Sequence, residues 1–482
     1  MAEIELLIGG KQSAAKDKTV FERRDPVTGE VATKAPAAKA VDVDRAVEAA
    51  AKAFPDWSEE GPGKRREILM KAADILEEKT PRFIEVGVAE TGATGPWIGF
   101  NVMFAAKVLR EAAAMTTQIK GEIVPSDKPG NFAMAVRQPV GVLVGMAPWN
   151  APVILGMRAV AMPIACGNTV VLKASEMCPH LHLMIAECFE EAGLPKGVIN
   201  IVTHAAEDAP EVVTRLIEHP KVKRINFTGS TRVGRIIAET AAKHLKPVLL
   251  ELGGKAPMLV LDDADLDAAV NGAAFGAFMN QGQICMSTER IIVDEKVADA
   301  FVEKFAKKAA DLPHGDPREP VVLGSVIDRA TIDKVDGLID DALSKGGVLV
   351  TGGPEAGTIM PATIVDKVTQ DMRLFREESF GPVVCIVRAK DADHAVELAN
   401  DTEYGLSASI YSGDVQKALK LAKRIESGIC HINGPTVHDE AQMPFGGVKN
   451  SGYGRFGGSA GVDEFTELRW ITIEDPHQHY PF

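Results

Sequence analysis

Two short segments carry residue types that could perform covalent chemistry. Residues 282–287 (Gly-Gln-Ile-Cys-Met-Ser) follow a predicted helix over residues 266–280 and precede an apolar strand candidate. A thiol in such a junction, here Cys285, is directed by the loop, and nearby backbone N–H groups can face a developing oxyanion. Residues 251–255 (Glu-Leu-Gly-Gly-Lys) place Glu251 at the end of another apolar strand candidate. The pair favours a thiol mechanism with a carboxylate base. The alternatives are a Cys that only fills space and a carboxylate that only bonds its glycine turn.

The elements that must position these residues alternate between strand and helix from Gly141 onward. Strands are predicted over residues 142–147, 169–173, 198–202, 224–227 and 247–250, and helices over residues 179–192, 209–218 and 232–243. This rhythm predicts a parallel sheet covered on both faces, where nucleotides bind at the carboxyl ends of strands. A second series, with strands over residues 258–260 and 291–293, runs from Pro257 to about Asn450. A domain boundary near residues 251–254 would put Glu251 at the cleft.

The other segments lack this alternation. Helices are predicted over residues 43–57, 64–79 and 100–117 from their apolar spacing. Residues 121–139 alternate and contain Pro129-Gly130, which predicts a hairpin with little core of its own. Residues 464–474 alternate again and predict a C-terminal strand, which would suit pairing with a neighbouring subunit.

Composition limits the function classes. The 482 residues exceed one compact core, so two or three domains are expected. The net charge of -14 argues against nucleic-acid binding, which needs clustered positive charge. The six cysteines form no Cys-x-x-Cys pair and no His/Cys cluster with metal spacing, which predicts free thiols and no metal. We find no signal peptide, and the most apolar stretch, residues 140–172, is broken by prolines, so we expect a cytoplasmic protein without a membrane span.

Residues 249–255 followed by residues 282–285 closely resemble the paired signatures of the aldehyde dehydrogenase superfamily, and the resemblance extends from Asp25 to Glu467. It implies an α/β fold with a variant Rossmann parallel-sheet cofactor domain, a second α/β catalytic domain and a small β oligomerisation region. The implied domains are residues 1–120 and 140–251 for NAD binding and residues 252–450 for catalysis. Residues 121–139 and 451–482 would form the oligomerisation hairpin and C-terminal arm of a homodimer or homotetramer.

The resemblance implies oxidation of an aldehyde to its acid. Cys285 would attack the aldehyde carbon, and Asn150 and the Cys285 backbone N–H would hold the oxyanion. Glu251 would activate the water that hydrolyses the thioester. From the residues alone, a helix N-cap is the favoured role for Asn150, because a helical run follows from Pro152. Two other functions remain as alternatives: a CoA-acylating dehydrogenase, which would not need Glu251, and a structural protein that keeps the fold without turnover.

Residues 227–234 form a phosphate-loop candidate, because they follow a strand and open a helix. Their glycine spacing is not the usual dinucleotide fingerprint, and a plain capped turn is the alternative. The resemblance assigns Lys173 and Glu176 to the adenosine ribose and Glu378 and Phe380 to the nicotinamide side. A carboxylate at Glu176 would repel a 2′-phosphate, so NAD is preferred over NADP. The other implied cofactor-binding residues are Gly229, Ser230, Val233, Gly234, Leu252, Pro148 and Trp149.

Within the family, residues 282–290, 431–437 and 463–467 are most similar to the aromatic branch of salicylaldehyde, vanillin and benzaldehyde dehydrogenases, and to the first of these above all. The implied substrate is a small aromatic aldehyde, with an aliphatic aldehyde or semialdehyde as the alternative. Flat apolar side chains suit an aromatic ring. Arg158 would either bond a ring substituent or pair with a structural carboxylate. The pocket candidates are Trp97, Trp149, Ile154, Arg158, Met286 and Phe445.

Overall fold

The structure is a computed structural model that describes residues 1–477 and 479–482. The strands are β1 Ala2–Glu3, β2 Leu6–Ile8, β3 Lys11–Ser13, β4 Val20–Arg24, β5 Val31–Pro36, β6 Glu122–Val124, β7 Phe132–Pro139, β8 Val142–Met146, β9 Thr169–Lys173, β10 Ile199–Val202, β11 Val222–Thr228, β12 Val248–Glu251, β13 Ala256–Val260, β14 Thr288–Asp294, β15 Val348–Thr351, β16 Thr363–Asp366, β17 Val383–Ala389, β18 Ser407–Tyr411, β19 Ile429–Ile432, β20 Gly452–Tyr453 and β21 Thr466–Ile473.

The α-helices are α1 Ala40–Ser58, α2 Pro62–Glu78, α3 Thr80–Thr91, α4 Gly95–Met115, α5 Pro152–Ala165, α6 Pro179–Glu191, α7 Ala209–Glu218, α8 Thr231–Lys243, α9 Leu266–Phe278, α10 Glu295–Ala310, α11 Arg329–Ser344, α12 Arg373–Arg376, α13 Ala392–Asn400, α14 Val415–Ala422 and α15 Gly458–Glu464. None of the helices within the described residues is long and apolar enough to cross a membrane.

The first large sheet has the strand order β20-β12-β11-β8-β9-β10-β2-β3. Its five central strands, β12, β11, β8, β9 and β10, are mutually parallel. Their apolar residues are almost all buried, as expected for a parallel sheet covered by helices on both faces. The predicted alternation of strands and helices is therefore confirmed. Because the strands are parallel, Met146, Thr228 and Glu251 lie at the same edge of the sheet, each at a strand's carboxyl end.

The second large sheet has the order β15-β16-β17-β14-β13-β18-β19, and only β15 is antiparallel to its neighbour. It includes both predicted strands of this half, β13 and β14. The segment with Cys285 connects α9 to β14, so it enters this sheet at the amino end of a central strand. The two sheets thus contribute opposite strand ends to the candidate site.

The predicted hairpin at residues 121–139 is confirmed as β6 and β7, which are antiparallel. The predicted C-terminal strand is β21, and it pairs antiparallel with β7 of its own chain over the whole of both strands, from Thr466–Pro139 to Ile473–Phe132. Its observed strand partner is therefore intramolecular. The resulting sheet, β21-β7-β6, exposes large apolar side chains, including Ile123, Leu468 and Trp470. The division of the chain into domains stays a prediction. The strand β20 belongs to the predicted C-terminal arm, residues 451–482, and it pairs with β12 of the first large sheet.

Candidate active site

The loop before Cys285 is held in an uncommon backbone conformation. Asn280, Gln281 and Gly282 all have positive φ, at 49°, 56° and 69°. Only glycine fits the third position, because a Cβ there would lie 2.2 Å from the carbonyl oxygen of Gly381. The Gln281 side chain donates to the Ser325 carbonyl at 2.8 Å. Such strain persists where surrounding contacts enforce it, and functional sites are where it concentrates.

Asn150 lies against this loop. Its Nδ2 donates to the Gln283 carbonyl at 2.9 Å, and its own carbonyl accepts bonds from Trp97 Nε1 at 3.0 Å and Asn280 Nδ2 at 2.9 Å. The residue at the cap of α5 is Ala151, so the alternative helix-cap role for Asn150 is wrong. A side-chain amide has two N–H groups. One is used on Gln283, which leaves the other available to an oxygen bonded to the substrate carbon.

Glu251 ends β12 and is 2% exposed. Within the described part of the chain, neither of its carboxylate oxygens makes a hydrogen bond of standard geometry. Burial raises its pKa well above the ordinary value, against the opposing charges of Arg158 and Arg455 and a weak interaction with the Gly447 backbone. An unpaired buried carboxyl is costly to keep, so it is typical of a group that exchanges protons with a ligand or water.

The surroundings of Cys285 disfavour its thiolate. Burial, followed by the negative charges of Glu251 and Glu378, raises the pKa of its thiol to about 12, and Arg158 opposes this shift. A thiol in such surroundings is mostly protonated and must lose its proton before it can act as a nucleophile. Glu251 is close enough to influence this pKa, and it lines the same cavity as Cys285.

Two cavities meet at Cys285. The first is apolar and has a volume of about 590 Å³, and the second has a volume of about 370 Å³. Three residues, Asn150, Leu155 and Cys285, line both. Five of the six predicted pocket residues line the first cavity: Trp97, Ile154, Arg158, Met286 and Phe445. Trp149, also considered for the substrate, lines the second cavity instead.

The second cavity lies at the carboxyl ends of β8, β11 and β12. Seven of the predicted cofactor residues line it: Pro148, Trp149, Gly229, Ser230, Leu252, Glu378 and Phe380. Val233 and Gly234 lie just behind, in the first turn of α8, which Ser230 caps by accepting a bond from the Val233 N–H at 3.4 Å. A Cβ at Gly234 would lie 2.4 Å from the Leu252 side chain, so this turn packs tightly against the cavity wall.

Lys173 and Glu176 lie outside the lining of both cavities. Lys173 ends β9, the strand next to β8, and Glu176 follows it; their charged atoms are 4.0 Å apart. Burial opposes ionisation of Glu176, but the Lys173 charge and weaker interactions lower its pKa below the ordinary value. A helix amino end, a glycine-containing loop and an ionised carboxylate along one sheet edge form a donor and acceptor set that fits a dinucleotide.

Several residues of the site were not predicted from the sequence. Thr331 and Lys334 of α11 line the second cavity, and His438 and Asp439 line the first. The first pair lies on an ordinary amphipathic helix, so no local pattern distinguishes it. An acidic partner for Arg158 could have been expected, because an arginine inside an apolar run needs a counter-charge. This partner is Asp439, at 2.5 Å.

The site combines a thiol, an amide and a carboxyl group with two adjoining cavities, and these features define a class of enzyme. The family model for the aldehyde dehydrogenase family matches residues 12–471. The chain therefore belongs to the aldehyde dehydrogenase family, whose members are oxidoreductases that use nicotinamide cofactors. The predicted family and fold are confirmed.

Individual relatives are similar over the whole length. A vanillin dehydrogenase from Pseudomonas sp. is 60% identical over 482 residues, covering 100% of both chains. A salicylaldehyde dehydrogenase from Pseudomonas putida is 50% identical over 479 residues, covering 99% of each. The crystal structure of a salicylaldehyde dehydrogenase from Pseudomonas putida G7, complexed with salicylaldehyde, matches with a TM-score of 0.98 and 49% identity, covering 100% of both chains.

Proposed function

We propose that this protein oxidises small aromatic aldehydes, of the salicylaldehyde, benzaldehyde or vanillin type, to the carboxylic acids with NAD. The observation that carries the proposal is that Cys285 and Asn150 line both cavities. A thiol at such a junction can hold the substrate carbon at the end of the apolar cavity and present it to a cofactor in the other. The full-length similarity to aromatic aldehyde dehydrogenases supports the ring substrate.

The proposed reaction begins when the Cys285 thiol gives its proton to solvent water and the resulting thiolate adds to the aldehyde carbon. The free N–H of Asn150 Nδ2 and the backbone N–H of Cys285 stabilise the oxyanion, which then collapses with loss of hydride to give a thioester on Cys285. Bound NAD would supply the hydride acceptor. Glu251 then takes a proton from water, the hydroxide attacks the thioester carbon, and the Cys285 thiolate leaves as the acid forms.

The apolar cavity suits a flat ring. Its wall combines aromatic rings and aliphatic side chains with very few polar groups, and the ring of Trp97 lies 5.6 Å from that of Phe100. Aromatic and aliphatic walls with a few placed polar groups are typical of sites for ring ligands. The polar residues of the lining are Asn150 beside Cys285, the Arg158–Asp439 pair, Thr94 and His438. We propose that Trp97, Ile154, Met286 and Phe445 contact the ring.

We propose NAD rather than NADP because of Glu176. Its lowered pKa keeps it ionised at neutral pH, so it would accept hydrogen bonds from ribose hydroxyls and repel a 2′-phosphate. Lys173 would bond the same ribose, Gly229, Ser230, Val233 and Gly234 would face the pyrophosphate, and Glu378 would bond the nicotinamide ribose. Replacing Glu176 with Ala should narrow the difference in KM between NAD and NADP.

A panel of aldehydes tests the proposal. Benzaldehyde, salicylaldehyde, vanillin, a short aliphatic aldehyde and succinate semialdehyde are each assayed with NAD and with NADP, with and without CoA. We expect NADH formation on the three ring aldehydes without CoA, and none from a Cys285→Ala variant. Turnover of the aliphatic aldehydes with no turnover of the rings would contradict the substrate class. A requirement for CoA would contradict hydrolysis by Glu251.

We also propose a homo-oligomer, a dimer or tetramer, assembled through the sheet β21-β7-β6. Trp470 is 79% exposed and Ile123 73% exposed, which is unusual for large apolar side chains on a strand. Finally, we propose a cytoplasmic location, because all six cysteines are free thiols, as expected of a protein in a reducing compartment.

A further inference from the structure

The turn that presents Glu378 and Phe380 to the second cavity is held by one buried carboxylate. Glu289 lies on β14, and its side chain is 5% exposed. It accepts the Ser379 N–H at 2.7 and 2.9 Å, the Phe380 N–H at 3.0 Å and the Ser379 hydroxyl at 2.9 Å. Hydrogen bonds to an ionised acceptor are stronger than neutral ones. The turn is thereby fixed to the strand that follows Cys285.

Lys255 compensates the charge of Glu289. Its Nζ lies 2.5 Å from the Glu289 carboxylate and donates to the Ser379 hydroxyl at 3.2 Å, and its side chain is 0% exposed. The residue before it, Gly254, donates its N–H to Glu378 at 2.9 Å. A buried carboxylate is tolerated only when it is paired and fully hydrogen-bonded, and both conditions hold here.

The turn needs such support because its backbone is strained. Phe380 has φ of 53°, in the left-handed region that residues with a side chain rarely adopt. Its own N–H is one of those bound by Glu289, and its ring meets Trp149 edge-on with centroids 5.7 Å apart. Glu378 and Phe380 line the second cavity, whereas Glu289 and Lys255 do not. We call Glu289 and Lys255 the clamp; it acts on the cavity residues Glu378 and Phe380 from outside the cavity.

We propose that Glu289, neutralised by Lys255, is a positioning residue for the cofactor: it holds the turn at residues 378–380 so that Glu378 and Phe380 face the second cavity. The inference rests on the proposed function for the identity of the cofactor. The clamp itself is a property of the protein without ligand. Preorganised sites depend on such supporting hydrogen bonds, whose loss lets the contacting residues drift.

Glu289→Gln tests this, because it keeps the size but turns one acceptor oxygen into an NH₂ group that faces backbone donors. We expect the Kd for NADH, measured by its fluorescence, and the KM for NAD to rise about tenfold, and the KM for benzaldehyde to change by less than about twofold. In the protein without ligand, hydrogen exchange of a peptide covering residues 374–383 should become faster. Ser379→Ala, which removes only the hydroxyl bonds, should act in the same direction by about threefold.

The matched control is Asp42→Asn. Asp42 is also buried, pairs with Arg45 at 2.8 Å and accepts the N–H groups of Lys16 and Lys39, and none of these residues lines either cavity. This variant should lower Tm without changing NADH affinity or exchange at residues 374–383. If Glu289→Gln and Ser379→Ala behave like the control, the inference is wrong. Should Glu289→Gln fail to fold, hydrogen exchange at residues 374–383 in Ser379→Ala decides, because Ser379 itself lines the second cavity and its effect on affinity alone does not separate support from direct contact. Failure of the proposed function would show differently, as absent NADH formation in the unaltered protein while the exchange result still stood.

Discussion

Arg158 and Asp439 form an ion pair on the wall of the apolar cavity, with 2.5 Å between Nη2 and Oδ2, although 281 residues separate them in the chain. Their side chains are only 7% and 15% exposed. The guanidinium also lies over the ring of Phe445, 4.5 Å from its centroid. Arg158 therefore has the structural carboxylate partner considered as one alternative, and it also lines the apolar cavity. A ring substituent at this wall would meet a charge that is already balanced.

Replacing Arg158 with Met should destabilise the protein by about 3–5 kcal/mol, because it leaves the Asp439 carboxylate buried without a partner. The double replacement Arg158→Met with Asp439→Leu should recover most of this loss, since no charge then remains. Urea unfolding of the two single variants and the double variant measures the coupling. If the single and double variants lose the same stability, the pair is not the reason that Arg158 matters.

Replacing Asn150 with Ala should lower kcat by about 10²–10³-fold, the usual effect of removing one oxyanion donor. The expected loss is in kcat because the oxygen carries its charge only in the transition state. The rate at which iodoacetamide alkylates Cys285 is the control for the loop, since Asn150 also bonds the Gln283 carbonyl. An altered alkylation rate would mean that the loop had moved and that the amide supports structure instead.

Replacing Glu251 with Gln should separate the two halves of the reaction. We expect a rapid burst of about one NADH per active site, followed by steady turnover about 10²–10⁴-fold slower than normal, as for loss of a general base. Stopped-flow absorbance of NADH gives both phases. A first turnover as slow as the later ones would place Glu251 in the activation of Cys285, whose thiol pKa is raised to about 12.

The affinity for NAD should weaken as pH falls through about 7. Burial, reinforced by the charge of Glu289, raises the pKa of Glu378 to about 7, against the hydrogen bond from the Gly254 N–H. Below that pH the carboxyl is protonated and loses its strength as an acceptor for ribose hydroxyls, so KM for NAD should rise on the acid side and level off above pH 7. The variant Glu378→Gln should have a high KM that no longer varies over this range. A pH dependence that survives in the variant would have another source.

Elements with a distinctive local pattern were predictable from the sequence, and elements without one were not. The central strands β8, β9, β11 and β12 were predicted to within about two residues, because buried apolar runs bounded by turns are distinctive. The strands β1 to β5 were missed. Each has only two to six residues, β1 and β2 pair with the more distant β5 and β10, and β3 and β4 lack a buried apolar run. The helix α3 was also missed. Lys79 is both the last cap of α2 and the first cap of α3, so no loop in the sequence separates the two helices.

The candidate site shows the same division between local and distant information. The proposed catalytic side chains, Cys285, Glu251 and Asn150, lie on segments that are recognisable in the sequence. Their partners could not be predicted, because the bond from Asn150 to Gln283 spans 133 residues and that from Ser379 to Glu289 spans 90. A pattern along the chain says which residue needs a partner, but only the fold selects one among 67 acidic residues.

Replacing Trp470 with Glu should dissociate the proposed oligomer. Trp470 and Leu468 lie two residues apart on β21 and are 79% and 61% exposed, so they point to the same face of a sheet that leaves both uncovered. Burying a charge in an apolar interface core opposes association strongly. Leu245→Glu is the matched control, because Leu245 is 91% exposed outside this sheet and its replacement should leave the assembly intact. Light scattering after size exclusion measures the mass of each variant. A Trp470→Glu variant with the mass of the unaltered protein would show that the sheet β21-β7-β6 is not the interface, and an equal effect of Leu245→Glu would mean that added charge alone is responsible.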